Sequence, residues 1–287
     1  MSMDGRTRLL GMCLAGMVAL GCGARQVRAQ ASALPSAQVD GDQGQGNRGR
    51  KLLDEMVQAL GGDKWLHRTT WFEAGKVGTF YKGTPDPYVN GFEEYDRAKP
   101  FGRRVVIVSH FGVFIPSDHR DVAVVYTPTD AFEVTYKGKK QLPKDELQEY
   151  LLQRKYAFEV IMNDWAQQPG VLISYEGTDM VDRRLTDRVS ILTTDNQSAV
   201  LQLDETTHLP LSRTVVYRDA LYHDQDTDVE QYDNYQTFQG IATPMTITRL
   251  HNGDIVAQRF LTKVDYSVKL SDDLFDPDRP LMKKAKK

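Results

Sequence analysis

Past Cys22 the chain has no cysteine, and the only other one is Cys13. Everything downstream must therefore do without disulfides, thiol catalysis or cysteine metal sites. Long apolar runs are also missing. The run Leu9–Leu20 (LLGMCLAGMVAL) is too short for a permanent membrane span, and no later segment is apolar enough. Basic charge is not in excess either. The formal net charge is -3, and removing residues 1–31, with four arginines and one aspartate, leaves 32 basic and 38 acidic residues, net -6. That balance excludes a nucleic-acid-binding face. No H-E-x-x-H pair, G-x-S-x-G elbow or phosphate-binding glycine loop is present, and His67, His110, His119, His208 and His251 are scattered.

What is present begins with an export signal. Arg6 and Arg8 precede the apolar run, and small residues follow it. Two endings fit. Ala29-Gln30-Ala31 is a cleavage site that would release the chain at Ser32. Ala19-Leu20-Gly21-Cys22 resembles a lipobox, which would make Cys22 the lipidated first residue of a chain that loses only residues 1–21. The mass of the mature N-terminus separates the two. Residues 32–47 (SALPSAQVDGDQGQGN) have almost no large apolar side chains and read as a flexible linker. Residues 48–287 then form one domain, long enough to rely on its own core, with a solvated Lys283–Lys287 tail.

Within that domain, Leu53, Met56, Val57 and Leu60 recur at helical spacing, and Gly61-Gly62 stops the short helix. The segments 69–83, 88–98, 101–112 and 121–140 are rich in aromatic and β-branched residues between Gly and Pro breaks, and read as strands. Val105–Val108 and Val122–Val125 are apolar on both faces, so something must cover them. The expected cover is one long helix over 143–168, whose apolar stripe is Leu147, Tyr150, Leu151, Phe158, Ile161, Met162 and Trp165. After Pro169-Gly170 strands run to the end. Val189 and Ile191, Leu201 and Leu203, and Met245 and Ile247 alternate with polar residues, and Asp195-Asn196 and Asn252-Gly253 mark turns.

Strands spaced this closely predict an antiparallel meander, not parallel units with crossover helices. The fold class is α+β dominated by β: a large curved antiparallel sheet, a half-barrel of about ten strands, with one short and one long helix covering its concave face. Such an interior is a place for an apolar ligand. The lining candidates are Trp71, Val106, Val124, Leu151, Phe158 and Met162, each also a natural packing residue.

Two acidic groups were weighed for chemistry. Asp224, Asp226 and Asp228 beside His223 begin like a calcium loop. No Gly follows Asp228, and Tyr235 stands where the closing Glu would be, so the segment reads as a solvated acidic turn. Glu93-Glu94 and Asp272-Asp273 are adjacent pairs whose members point to opposite faces of a strand and make no acid/base pair. No catalytic residue, metal site or cofactor is predicted.

The second half carries a layout of its own: Leu201-Gln202-Leu203-Asp204, then Thr207 and Leu209-Pro210; later Tyr235, Gly240 and Pro244; and finally Leu274-Phe275-Asp276-Pro277. This layout resembles the bacterial lipoprotein-carrier fold family, the outer-membrane lipoprotein-sorting proteins of the LolA, LolB and RseB type. The likeness runs from Arg50 to Pro277 and marks turns and strand pairs, with no ligand-contact residue to carry over. It implies a non-catalytic, monomeric envelope protein that binds a lipid or lipoprotein acyl chain. Such a protein is periplasmic, or held at the outer membrane through Cys22. A stress sensor or protein-interaction module on the same fold, holding an envelope protein partner, is the alternative. A hydrolase without a recognised motif is a further one.

Overall fold

A computed structural model of the chain describes residues 42–108, 122–218 and 225–279. The export signal 1–31, Cys22, most of the linker, Phe111, Phe114, His110, His119, His223, Asp224 and the lysine tail lie outside the described residues. The rest is a β-dominated α+β fold built on one antiparallel sheet. Its thirteen strands stand in the order β6-β5-β4-β3-β2-β1-β13-β12-β11-β10-β9-β8-β7.

Two meanders compose it. The first holds β1 (Thr70–Tyr81), β2 (Thr84–Arg97), β3 (Gly102–Val108), β4 (Val122–Tyr126), β5 (Ala131–Thr135) and β6 (Gly138–Gln141). The second holds β7 (Leu172–Val181), β8 (Arg184–Leu192), β9 (Ser198–Asp204), β10 (Pro210–Arg218), β11 (Gln225–Phe238), β12 (Ile241–His251) and β13 (Asp254–Asp265). The first and last strands, β1 and β13, pair and join the halves. β6 and β7 are consecutive in the chain yet sit at opposite ends of the sheet. The segment between them must therefore return across the sheet, and that requirement is what brings helices over it.

Four helices occur among the described residues: α1 (Asp42–Leu60), α2 (Asp63–Leu66), α3 (Lys144–Lys155) and α4 (Phe158–Asn163). The segment expected to be short is the longest. α1 begins inside the predicted linker because it lies directly on β7. A Cβ on Gly49 would sit 3.0 Å from the Ser174 carbonyl carbon, so glycine eases the close approach of the helix to the strand. Leu52, Leu53, Met56 and Leu60 then bury against Ile173, Val189, Ile191, Leu201 and Leu203.

The expected long helix is two helices, and the break has a tertiary cause. Ala157 is extended at φ -62, ψ 146. Tyr156 turns into the core, where its carbonyl accepts a hydrogen bond from the Arg213 guanidinium and its hydroxyl donates to Gln197 Oε1 at 2.8 Å. Its ring stacks on Tyr217 with centroids 5.3 Å apart. The stripe drawn along one helix is therefore split. α3 buries no residue fully, while Ile161 and Met162 of α4 join the core.

Candidate functional site

Between the helices and the sheet lies a cavity of about 1200 Å³, lined by α2, α3, α4 and by strands β1–β4 and β10–β13. Its wall is apolar in part. Trp71, Val77, Phe92, Val105, Ile107, Val124, Ile247 and Leu261 face it from six neighbouring strands, and Trp65 and Phe158 line it from the helices.

The rest of the wall is charged, which the sequence reading did not anticipate. Glu73 on β1 and Glu94 on β2 are direct cross-strand partners, an arrangement that places like charges opposite each other. Arg259 on β13 bridges them, with Nη2 3.2 Å from Glu73 Oε2 and 2.8 Å from Glu94 Oε2. Glu94 also pairs with Arg103, whose Nε lies 3.7 Å from Asp96 Oδ1. Glu94 and Asp96 are each only 5% exposed. Beyond this chain, Arg213 meets Glu230 at 3.2 Å, and Tyr232 donates its hydroxyl to the same carboxylate at 2.9 Å. Asp228 holds Arg249 at 3.2 Å and His251 Nδ1 at 2.8 Å. Arg68 pairs with Glu159 while its guanidinium lies 5.1 Å from the rings of both Trp65 and Trp71.

The protonation states follow from this layout. Burial pushes the Glu94 carboxyl up, but the flanking guanidiniums of Arg103 and Arg259 outweigh it and hold the group below its ordinary range. Burial and the neighbouring Glu94 charge drive Asp96 well above its ordinary range, which favours its protonated form. Burial raises Glu73 as well, against the pull of Arg259. The acids of this wall are thus offset by Arg103 and Arg259.

Three of the six residues named from the sequence line the cavity: Trp71, Val124 and Phe158. Val106 does not. It packs on the opposite face with Ala123, Val125 and Val134, while its neighbours Val105 and Ile107 face the cavity. In a run apolar on both faces, alternation carries no phase. Met162 is 3% exposed within the main core. Leu151 is half-buried on α3, where Tyr150, Gln153 and Arg154 supply the lining instead. The acidic segment is a strand rather than a solvated turn in its described part. Asp226 and Asp228 lie in β11, and Asp228 is buried because its strand position faces the cavity and Arg249. Among the described residues, no group of three or more His, Cys, Asp and Glu is placed to hold a metal ion.

The charged wall could have been glimpsed in "FEEYDR". Glu94 and Asp96 alternate with Glu93 and Tyr95 there, which places both acids on the face of Phe92. Their partners Arg103 and Arg259 come from other strands, and no local pattern links them.

A domain from Vibrio parahaemolyticus named for outer membrane lipoprotein sorting superposes with a TM-score of 0.52. The match covers 82% of this chain and 100% of that one at 10% identity. The chain has the lipoprotein-sorting fold. A DUF1329 family protein from Desulfovibrio piger shares this fold, with a TM-score of 0.51 over 80% of this chain and 97% of that one, at 13% identity. A LolA superfamily protein from Nitrosomonas europaea gives 0.48 over 79% and 96%, at 11% identity. No family model matches the sequence, and no curated protein matches it. The lipoprotein-sorting fold is thus recognised through its backbone, as expected where the matching features are turns and strand pairs.

Proposed function

We propose that this protein is an exported, non-catalytic carrier that holds the apolar part of a lipid or lipoprotein acyl chain in the cavity between sheet and helices. The export signal read in the sequence supports a place in the cell envelope. It is there either free in the periplasm after cleavage before Ser32 or tethered to the outer membrane through Cys22. The observation that carries this reading is a cavity of about 1200 Å³ among the described residues, walled in part by apolar side chains from six strands. Natural interiors are close-packed, and a cavity of this size is normally kept for a ligand. Each methylene moved there from water contributes roughly 0.8 kcal/mol, which makes binding and release reversible without covalent chemistry. Internal pairing of the wall charges keeps them from opposing an uncharged chain.

The test is a cavity-filling substitution. Ala257 lines the cavity and is half-buried on β13. Wild-type protein is expected to bind the methyl ester of a pyrene-labelled fatty acid saturably. Ala257→Trp is expected to weaken that binding about tenfold or more, a change of ~1.4 kcal/mol, with the fold retained by circular dichroism. Equal binding by both would move the ligand elsewhere, and no binding by wild type would remove the carrier reading.

A further inference from the structure

Three polar atoms on one patch of the cavity wall have no hydrogen-bond partner among the described residues: Asp96 Oδ2, Arg103 Nε and the Tyr150 hydroxyl oxygen. They are neighbours. Asp96 and Arg103 are direct cross-strand partners on β2 and β3, and the Arg103 guanidinium lies 5.9 Å from the centre of the Tyr150 ring. That ring is fixed in turn by stacking on Tyr126, with centroids 3.7 Å apart. Leaving a buried polar group unpaired forfeits its hydration without return, and native proteins leave few such groups. Here three fall together, on rigid strands and a stacked ring, beside empty space. They also complement one another: Arg103 Nε donates, the Tyr150 hydroxyl can donate or accept, and Asp96 Oδ2 can accept, its carboxyl being already hydrogen-bonded to Glu94.

We infer that Asp96, Arg103 and Tyr150 form a polar subsite inside the cavity that receives an uncharged, hydroxyl-bearing headgroup, so that the ligand enters head inward. This rests on the carrier reading and adds to it the chemistry of the head. The neighbouring charges select against the other classes. An anionic head would meet the Glu94 carboxylate on the same wall, and a cationic one would meet Arg103 with Arg259 behind it. Both ends of a hydroxyl dipole find a partner without disturbing the existing ion pairs.

The test compares three twelve-carbon amphiphiles below their critical micelle concentrations by isothermal titration calorimetry: monolaurin, laurate and dodecylamine. Monolaurin is expected to bind about tenfold tighter than either charged partner. Tyr150→Phe removes an unpaired hydroxyl and keeps the stacked ring. It is expected to weaken monolaurin about five- to tenfold, the worth of one hydrogen bond, and to leave laurate unchanged. Equal affinity for the three amphiphiles, or a Tyr150→Phe effect shared by laurate and monolaurin, overturns the subsite and leaves the carrier reading standing. Binding of none of the three overturns both. The headgroup comparison on wild-type protein decides the matter even if the variant does not fold.

Discussion

Arg259→Leu is expected to lower folding stability by about 3–5 kcal/mol, the loss typical when one member of a buried ion pair is removed. Among the described residues the side chain is the one that bridges Glu73 and Glu94, which oppose each other directly across β1 and β2. Leucine keeps much of the contact with the Phe92 ring, over which the guanidinium lies at 4.5 Å, so packing accounts for little of the loss. What remains is two carboxyls facing each other in a wall largely shielded from water. Without Arg259 the Glu73 carboxyl loses its ion-pair partner and holds its proton more tightly in the folded state than in the unfolded one, while Glu94 keeps its pair with Arg103. The unfolded chain then releases protons first as pH rises, and stability falls with rising pH above the ordinary carboxylate range. Urea midpoints at pH 5 and pH 8 check both parts: the deficit should be larger at pH 8. A loss under ~1 kcal/mol at both values would mean that the pair is solvated and surface-like.

Gly75→Ala is expected to cost about 3 kcal/mol or more, the upper end for forcing atoms into a packed site, or to prevent folding. A Cβ at this position would lie 2.0 Å from the Phe260 carbonyl oxygen. The contact is backbone, so no rotamer change relieves it. Gly75 sits where the pairing register between β1 and β13 shifts: Ala74 pairs with Lys263 and Gly75 with Leu261. Thr262 is the extra residue of the bulge, and its hydroxyl bonds the Ala74 carbonyl at 3.2 Å. This seam joins the two meanders, and displacing it separates them. Three residues along the same strand, Gly78→Ala is the control. Its Cβ would meet only Val89 Cγ2 at 4.0 Å. That change should be neutral or stabilise by up to ~1 kcal/mol through the unfolded chain. Thermal melts of the two variants side by side give the comparison, and similar values for both would refute the bulge as the cause.

The strands were legible because their chemistry is local. Val189 with Ile191 and Leu201 with Leu203 alternate at period two and face the core as their spacing predicts. Asn252-Gly253 turns β12 into β13, and Gly61-Gly62 ends α1. What escaped the reading depends on distant partners. Nothing near Ala157 breaks a helix. The break comes from Arg213, 57 residues from Tyr156 in the chain, which binds the Tyr156 carbonyl. The cavity was expected to be apolar throughout. Its charges stayed hidden because Glu94 and Arg259 become neighbours only when the last strand pairs with the first. Glu94 and Asp96 carry the pattern of a solvated strand face until that neighbour is known. Val106 was chosen over Val105 and Ile107 in a run where both faces are apolar. Two of the misplaced candidates, Leu151 and Met162, fail together with the single long helix on which they were drawn.

The most direct test of the carrier reading is the mass of what the protein already holds. Native mass spectrometry of the chain purified from its native cells should show a discrete non-covalent adduct. Organic solvent should remove it, and the extract should contain an acyl-bearing lipid. A single peak at the protein's own mass, from material that also fails to take up a fluorescent acyl ester, would contradict the proposal.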